Sequence, residues 1–196
     1  MRIADWNDYE LIDTSAGERL ERWGDIILIR PDPQIIWSTP KTNPLWRKAH
    51  ARYHRSNTGG GHWQEHQKMP AVWSIRYKEM TFNLKPMGFK HTGIFPEQAV
   101  NWDFAMNKIK EAKRPVKVLN LFGYTGAASL ACASAGAEVC HVDASKGMVA
   151  WAKENAVSSG LADKPIRWLV DDCVKFVQRE QRRGNTYDGI IMDPPS

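Results

Sequence analysis

The stretch that most constrains the fold is residues 116–135, an apolar run broken by two glycines and followed by an alanine-rich segment. The run at 116–122 has the β-branched and aromatic character of a buried parallel strand. Gly123 and Gly126 would let the backbone turn and approach a ligand closely, and residues 127–135 favour a helix. Strand, glycine loop and helix in this order predict a site for a nucleotide-like cofactor, bound near free N–H groups at the helix start.

Acidic residues end each of the next three predicted strands. Asp143 follows Gly123 by 20 positions, where a carboxylate can accept hydrogen bonds from both hydroxyls of a ribose. Asp172 and Asp193 occupy the same place after the third and fourth strands. The predicted elements are strands at 138–143, 166–170 and 187–192 and helices at 127–135, 145–159 and 173–183. This alternation predicts an open α/β sheet with a ligand crevice along the carboxyl edge of its strands.

A dinucleotide-binding domain is the first competing interpretation. The loop is Gly-Tyr-Thr-Gly at 123–126, which lacks the middle glycine that lets a pyrophosphate approach the helix. A nicotinamide site would also have no need of the proline pair Pro194-Pro195 after the fourth strand. Both features count against this alternative.

With these residues, the chain resembles a class I S-adenosylmethionine-dependent methyltransferase. From about residue 80 it is similar, more narrowly, to the bacterial 23S ribosomal RNA large-subunit methyltransferases that include the cytosine-C5 enzyme. The fold implied is a Rossmann-like sheet of which the first four strands are present and the carboxyl-terminal strands absent, preceded by a small β-rich domain. The resemblance rests on residues 91–98, 119–126, 143–145, Asp172 with Phe176, and 193–196.

The resemblance implies S-adenosylmethionine as the cofactor and gives each motif a role. The glycine loop would lie against the methionine end, Asp143 would bind the ribose, and Asp172 would accept from the adenine amino group. Asp193, Pro194 and Pro195 would face the acceptor, where carbonyls of two prolines without N–H groups can meet a base edge. The expected cofactor-binding residues are Phe95, Gln98, Phe122, Gly123, Tyr124, Thr125, Gly126, Asp143, Ala144, Ser145, Asp172 and Asp193.

Composition restricts the cellular compartment and the partners expected for this chain. The three cysteines, Cys132, Cys140 and Cys173, have neither disulfide nor metal spacing, so a reducing cytoplasm is expected and buried packing is their expected role. No run is long or apolar enough to span a membrane. The net charge of +5 is a mild bias towards polyanions.

The amino-terminal part suggests a different organisation. Residues 1–40 predict a small β-rich unit, with strand-like segments at 9–12 and 25–30 and a third apolar piece at 35–37. Residues 41–70 are expected to be an insertion or linker, and residues 71–113 a hairpin and helix leading into the core. Residues 114–196 are then the cofactor-binding domain, cut after its fourth strand. We expect the chain to be a fragment of a longer protein, with an inactive remnant as the alternative.

The segment 41–68 interleaves basic and aromatic residues, a mixture that suits RNA because cations neutralise phosphates and aromatic rings stack on unpaired bases. A solvated insertion is the alternative. Its HxxEH pattern at 62–66 matches one class of zinc site but lies in a polar, glycine-preceded stretch, so surface histidines are favoured. The resemblance implies that this RNA is ribosomal. The cations expected to contact it are Lys41, Arg47, Lys48, Arg52 and Arg55.

Three functions fit the sequence. The first is a methyltransferase acting on a base of ribosomal RNA. The second is a methyltransferase acting on a protein or small molecule. The third is a non-catalytic RNA-binding module. A cytosine-C5 reaction needs a thiolate that adds to the ring, and no cysteine lies at the fourth strand tip, so the target atom stays open.

Overall fold

The computed structural model describes residues 4–57 and 59–194. They form two compact units, each drawn from separate stretches of chain. The amino-terminal unit comprises Asp5–Tyr77 and Asn83–Ile94, and the carboxyl-terminal unit comprises Ala4, Lys78–Phe82 and residues 95–194. The chain passes between them within a two-stranded sheet of β6 (Trp73–Tyr77) and β7 (Met80–Leu84), the hairpin that the sequence predicted. Within the described residues, no helix combines the length and apolar character needed to cross a membrane.

The amino-terminal unit is built on a five-stranded sheet in the order β1-β2-β3-β4-β5. Neighbouring strands are antiparallel except for the β3–β4 pair, which is parallel. Its strands are β1 (Tyr9–Ser15), β2 (Glu18–Trp23), β3 (Ile26–Pro31), β4 (Ala51–Arg55) and β5 (Gly61–Glu65). A short 3-10 helix at Pro44–Arg47 buries Trp46 against the sheet, where it packs with Leu20 and Ile29.

This sheet differs from the predicted β unit in three places. Strand β2 was not predicted, because four of its six residues are charged and mask the apolar alternation. Residues 35–37 form no strand, and Ile36 is exposed while Ile35 is buried. Residues 41–70, expected as an insertion or linker, supply β4 and β5 because Tyr53 and Trp63 face each other across this pair. The HxxEH histidine His62 accordingly lies on a strand, whereas that zinc motif requires a helix.

A buried ion network explains the charges of β2. Glu21 is fully buried and accepts two hydrogen bonds from Arg30, at 2.6 and 2.7 Å. The hydroxyl of Tyr9 donates to the same carboxylate at 2.9 Å. Arg30 also lies over the ring of Trp23, with its guanidinium carbon 4.9 Å from the ring centroid. Removing one partner would leave an uncompensated buried charge, which typically costs about 3–5 kcal/mol.

The carboxyl-terminal unit contains a four-stranded, all-parallel sheet in the order β10-β9-β8-β11. The strands are β8 (Lys117–Leu121), β9 (Glu138–Asp143), β10 (Ile166–Val170) and β11 (Gly189–Met192), and the helices are α1 (Ala99–Ala112), α2 (Ala127–Ser134), α3 (Lys146–Ser158) and α4 (Cys173–Arg183). These elements lie close to the predicted positions, so the Rossmann-like α/β core is confirmed. The strand order places the first predicted strand, β8, between the second and the fourth.

Helices cover both faces of this sheet. On one face Val118 and Val139 pack with Cys132 and Ala133 of α2. On the other face Leu119 and Val142 pack with Phe176 of α4. Alternate strand residues therefore enter two separate cores, as expected for a doubly covered parallel sheet.

The segment Lys78–Phe82 is fixed to the same unit. The backbone N–H of Thr81 donates to Ser159 Oγ at 2.9 Å, and the Ser159 hydroxyl donates to the Thr81 carbonyl at 3.0 Å. The ring of Phe82 lies 5.5 Å from that of Trp102 on α1. These contacts anchor the hairpin tip beside the helices that surround the sheet.

Candidate cofactor-binding site

The glycine loop joins β8 to α2 through an unusual backbone path. Phe122 and Tyr124 have positive φ angles of 55° and 51°, and Gly126 has φ of 87°. Non-glycine residues in this region are uncommon and mark a locally strained backbone. The Gly123 N–H donates to the Val142 carbonyl at 3.0 Å, which holds the loop against the end of β9.

Both glycines are required by packing within the protein. A Cβ added at Gly123 would lie 2.3 Å from Cε1 of His141, and one at Gly126 would lie 2.8 Å from Cβ of Ala152. The sequence had suggested that these glycines give a ligand room to approach. At Gly123 the space is instead occupied by the imidazole of β9, so the glycine lets two protein elements approach each other.

Asp143 links the glycine loop to the start of α3. Its Oδ2 accepts from the Tyr124 N–H at 2.9 Å, and its Oδ1 accepts from the Ser145 N–H at 2.8 Å. Each carboxylate oxygen has about two acceptor positions, so each keeps one for a further donor. The half-buried carboxylate is therefore both an organiser of the loops and an acceptor at the carboxyl edge.

A chain of buried polar side chains lies beneath the loop. The side-chain amide of Asn120 donates to Ser129 Oγ at 2.8 Å, and Ser129 Oγ lies 3.0 Å from His141 Nδ1. His141 is fully buried, and burial lowers its pKa to about 4, so the imidazole is neutral near pH 7. Ser129 Oγ has two acceptor positions and one proton, so it can bond Nδ1 in either neutral tautomer of the imidazole. Among the described residues, His141 Nε2 has no hydrogen-bond partner.

Two further contacts fix the loop from the sides. The buried Asn155 amide on α3 donates to the Thr125 carbonyl at 2.9 Å. The Phe122 N–H points at the sulfur of Cys173, 3.3 Å away, at the start of α4. The loop is thus held by β9, α3 and α4 at once, which preorganises it.

The remaining predicted residues make differing contacts. The ring of Phe95 lies 5.4 Å from that of Tyr124, so this residue is brought to the loop. Gln98 precedes α1, and its side-chain oxygen accepts from Asn101 at 2.7 Å. Ser145 caps α3 by accepting from the Met148 N–H, and Ala144 beside it is exposed.

Asp172 and Asp193 follow the neighbouring strand ends. Asp172 is the N-cap of α4, where its side chain accepts from the Lys175 N–H at 2.8 Å. Asp193 and Pro194 follow β11, whose last residue Met192 pairs with Leu121 immediately before the glycine loop. Pro195 lies outside the described residues. The strand register therefore places the predicted acceptor position next to the predicted cofactor position.

A cavity of about 620 Å³ opens elsewhere, at the amino-terminal edge of the same strands. Lys117, Glu138 and Ile166, each at the start of a strand, contribute to its wall. Ligands of open parallel sheets bind at the carboxyl ends of the strands, where the chain order reverses. The strained loop and the strand-end acids mark that edge as the candidate site.

Residues 98–196, half of the chain, match the profile of the family described as "Conserved hypothetical protein 95". The chain belongs to this family. One curated protein similar to this chain is the ribosomal RNA large subunit methyltransferase K/L of Shewanella baltica. The two are 35% identical over 116 residues, which cover 59% of this chain and 15% of the relative.

Solved structures give the same class. A SAM-dependent methyltransferase from Agrobacterium tumefaciens is 45% identical, with a TM-score of 0.93 over 98% of this chain and 62% of that one. SMU.776, solved in complex with SAH, shares the fold at 22% identity and a TM-score of 0.73, over 98% of this chain and 53% of that one. These comparisons confirm the predicted homology to S-adenosylmethionine-dependent methyltransferases and to large-subunit ribosomal RNA methyltransferases.

The family description, conserved hypothetical protein 95, names no activity. The chain spans between 15% and 62% of the length of the relatives just named. The activity, substrate and partners of the whole protein are therefore proposals.

Sequence reasoning overlooked the polar residues beneath the loop, which in this family member are Asn120, Ser129, His141 and Asn155. A signal was available, since Asn120 and His141 interrupt otherwise apolar strands. A buried polar residue needs a partner, so each predicts a hydrogen bond inside the core.

Proposed function

We propose that this protein binds S-adenosylmethionine at the carboxyl edge of the parallel sheet and methylates a base of ribosomal RNA. The observation that carries the proposal is the Asp143 carboxylate, which clamps the glycine loop and the start of α3 and keeps acceptor positions. The ribosomal substrate is suggested by the name of the Shewanella baltica relative. We propose a cytoplasmic location as well, because the proposed substrate is ribosomal RNA.

The residues at this edge fit the cofactor. Asp143 would accept from the ribose hydroxyls, and Asp172 would accept from the adenine amino group. His141 Nε2 has no hydrogen-bond partner among the described residues, which supports a polar ligand near the loop. The other residues proposed to surround the cofactor are Phe95, Gln98, Phe122, Gly123, Tyr124, Thr125, Gly126, Ala144, Ser145 and Asp193.

The cofactor supplies a methyl group already activated by its sulfonium. The protein therefore needs mainly to orient donor and acceptor, exclude water and hold the acceptor in line. Carbonyl oxygens of Asp193, Pro194 and Pro195 would face the acceptor. An exocyclic amine can donate to such carbonyls, whereas a ring carbon cannot.

The cysteines bear on the target atom. Burial raises the pKa of all three thiols, that of Cys132 to about 12, so each is protonated near pH 7. The sulfur of Cys173 accepts from the Phe122 N–H and so helps to hold the glycine loop. A cytosine-C5 reaction requires a thiolate, and within residues 4–57 and 59–194 these thiols do not provide one. We propose a base nitrogen as the acceptor, because the carbonyl oxygens after β11 can accept from an exocyclic amine.

The amino-terminal unit supplies the proposed RNA contacts. Lys41 and Arg52 both lie near Glu18, at 2.5 and 3.5 Å, so their charges are partly neutralised. Arg47, Lys48 and Arg55 are exposed, and the described part of the chain offers them no ion-pair partner within 4.0 Å. These three cations are the better candidates for phosphate contacts.

The test is transfer of tritiated methyl from S-adenosylmethionine to ribosomal RNA by this chain, with Asp143→Ala as the paired variant. Labelled RNA, and loss of label in the variant, is the expected result. Digestion and chromatography would then identify the methylated nucleoside. Label in a protein fraction would support the second function instead, and RNA binding without S-adenosylhomocysteine binding would support the third.

A further inference from the structure

The loop at residues 85–92 of the amino-terminal unit is closed on itself. The Lys85 N–H donates to the Thr92 carbonyl at 3.0 Å, and the Met87 N–H donates to the His91 carbonyl at 3.2 Å. These two bonds form the neck of what is called here the 85–92 loop. Its tip consists of Gly88, Phe89 and Lys90.

Two aromatic side chains fix this tip to the β4–β5 pair. The hydroxyl of Tyr53 donates to the Gly88 carbonyl at 2.9 Å, and the indole N–H of Trp63 donates to the Met87 carbonyl at 2.8 Å. Their own rings meet edge to face, with centroids 5.3 Å apart. On the other side of the tip, Arg30 donates to the Lys90 carbonyl at 3.1 Å. The loop is thus held from both sides.

Phe89 projects from this anchored tip with 63% of its surface exposed. An exposed phenylalanine on a mobile loop would lose conformational entropy on binding a planar partner. The anchors of the 85–92 loop have already restricted its backbone, so less is lost on binding. The tip therefore presents an apolar ring that is both accessible and preorganised.

The neighbouring charges leave an excess of cations. Arg19 and Arg30 are matched by Asp32 and Glu21, with which they form ion pairs. Lys90 donates to the Pro31 carbonyl at 3.2 Å, and Asp32, the acid that interacts with it, is already paired with Arg19. Burial and three nearby arginines lower the pKa of Lys90.

Arg55 is one of those three arginines, and its side chain is exposed at the end of β4. In the part of the chain that the structure describes, neither Lys90 nor Arg55 forms an ion pair with a carboxylate. An incoming phosphate would relieve the mutual repulsion of these cations. The place beside Phe89 is therefore suited to a polyanion.

We propose that Phe89, Lys90 and Arg55 form a contact surface for single-stranded RNA, with Phe89 stacking on an unpaired base and the two cations contacting phosphates. The choice of RNA rests on the proposed function, since stacking and charge alone also suit single-stranded DNA. A duplex is disfavoured, because its bases already stack on one another and offer no free face to the ring.

The experiment measures fluorescence anisotropy of a labelled single-stranded RNA about 12 nucleotides long, titrated with the whole chain over a salt series. Phe89→Ala should weaken binding between about 5-fold and about 150-fold, the range for losing one aromatic–base stack. Lys90→Gln and Arg55→Gln should each reduce the slope of log affinity against log salt by about 0.7. Phe89→Trp should retain affinity, and its indole fluorescence should be quenched by RNA.

Matched controls come from α1 of the other unit, where Phe104 and Lys110 are exposed. Phe104→Ala and Lys110→Gln should bind RNA as the unchanged protein does. If Phe89→Ala and Lys90→Gln behave like these controls, or if a duplex RNA depends equally on Phe89, the surface is not the one proposed. DNA binding equal to RNA binding would overturn the RNA assignment.

Titration with S-adenosylhomocysteine separates this surface from the cofactor site. RNA binding that depends on Phe89, without binding of S-adenosylhomocysteine, would sustain the surface and reject the methyltransferase function. Binding of S-adenosylhomocysteine with RNA affinity independent of Phe89 would do the reverse. The cofactor affinity of the Phe89 variants should match that of the unchanged protein.

Discussion

The contact between Gly123 and His141 makes the substitution Gly123→Ala a sharp test of how the glycine loop is built. The added methyl carbon would lie 2.3 Å from Cε1, 2.5 Å from Nδ1 and 3.0 Å from Nε2 of the imidazole. Ordinary van der Waals contact begins at about 3.4 Å, so the ring must retreat by about 1 Å or the loop must shift. Neither can move freely, because His141 is fully buried.

The cost can be estimated from two effects. Overpacking a filled core typically costs about 1–3 kcal/mol. Moving the ring also weakens its hydrogen bond with Ser129, and an unsatisfied buried group costs about 1–3 kcal/mol. The free energy of unfolding of Gly123→Ala should therefore fall by about 2–6 kcal/mol, and affinity for S-adenosylhomocysteine should fall with it.

The assay is urea unfolding followed by circular dichroism, with calorimetric titration of S-adenosylhomocysteine. Gly147→Ala on α3 is the matched control, since the nearest atom to its added carbon is 3.8 Å away. That change should be neutral or stabilising by up to about 1 kcal/mol. The double variant Gly123→Ala/His141→Ala should be more stable than the sum of its single variants by about 1–3 kcal/mol. Strict additivity, or an unaltered stability of Gly123→Ala, would refute the packing argument.

Three further predictions concern the acids and the histidine. Asp143→Ala should weaken S-adenosylhomocysteine binding by about 1–3 kcal/mol in calorimetry, and unchanged affinity would remove Asp143 from the site. Asp172→Ser should keep the N-cap of α4 but lose the carboxylate, whereas Asp172→Ala should lose both and cost about 1 kcal/mol of stability. Both variants should bind S-adenosylhomocysteine more weakly than the unchanged protein, and equal affinity in all three would contradict the adenine contact. Because the pKa of His141 falls from 6.5 to about 4 on folding, the unfolded chain takes up a proton that the folded protein does not. The free energy of unfolding should thus drop on acidification from pH 6.5 to about 4, by on the order of 3 kcal/mol. His141→Gln should flatten this drop in urea titrations at several pH values, and an equal drop in both proteins would disprove it.

The carboxyl-terminal unit was largely predictable from the sequence. Strand β9 and helix α4 have the predicted bounds, because buried parallel strands are largely apolar runs and α4 ends at the C-cap Gly184. Ser145 and Asp172 cap their helices as such residues commonly do. Local chemistry decides these boundaries, so a single sequence carries them.

The amino-terminal unit was less predictable. Strand β2 contains Glu21, whose buried charge is compensated only when Arg30 of β3 lies beside it. Strands β4 and β5 belong to the same sheet because β4 pairs with β3 across some 20 intervening residues. Pairing over such distances depends on cross-strand neighbours, which a pattern along one chain does not contain.

The sequence by itself determined the type and order of elements around the glycine loop and set acids at the ends of the strands. Only the tertiary structure decided what those residues touch. It assigned both oxygens of Asp143 to backbone N–H groups and filled the space beside Gly123 with His141. The physical reason is that propensity acts within a few residues, whereas steric exclusion and hydrogen-bond satisfaction act between elements that meet only when the sheet has formed.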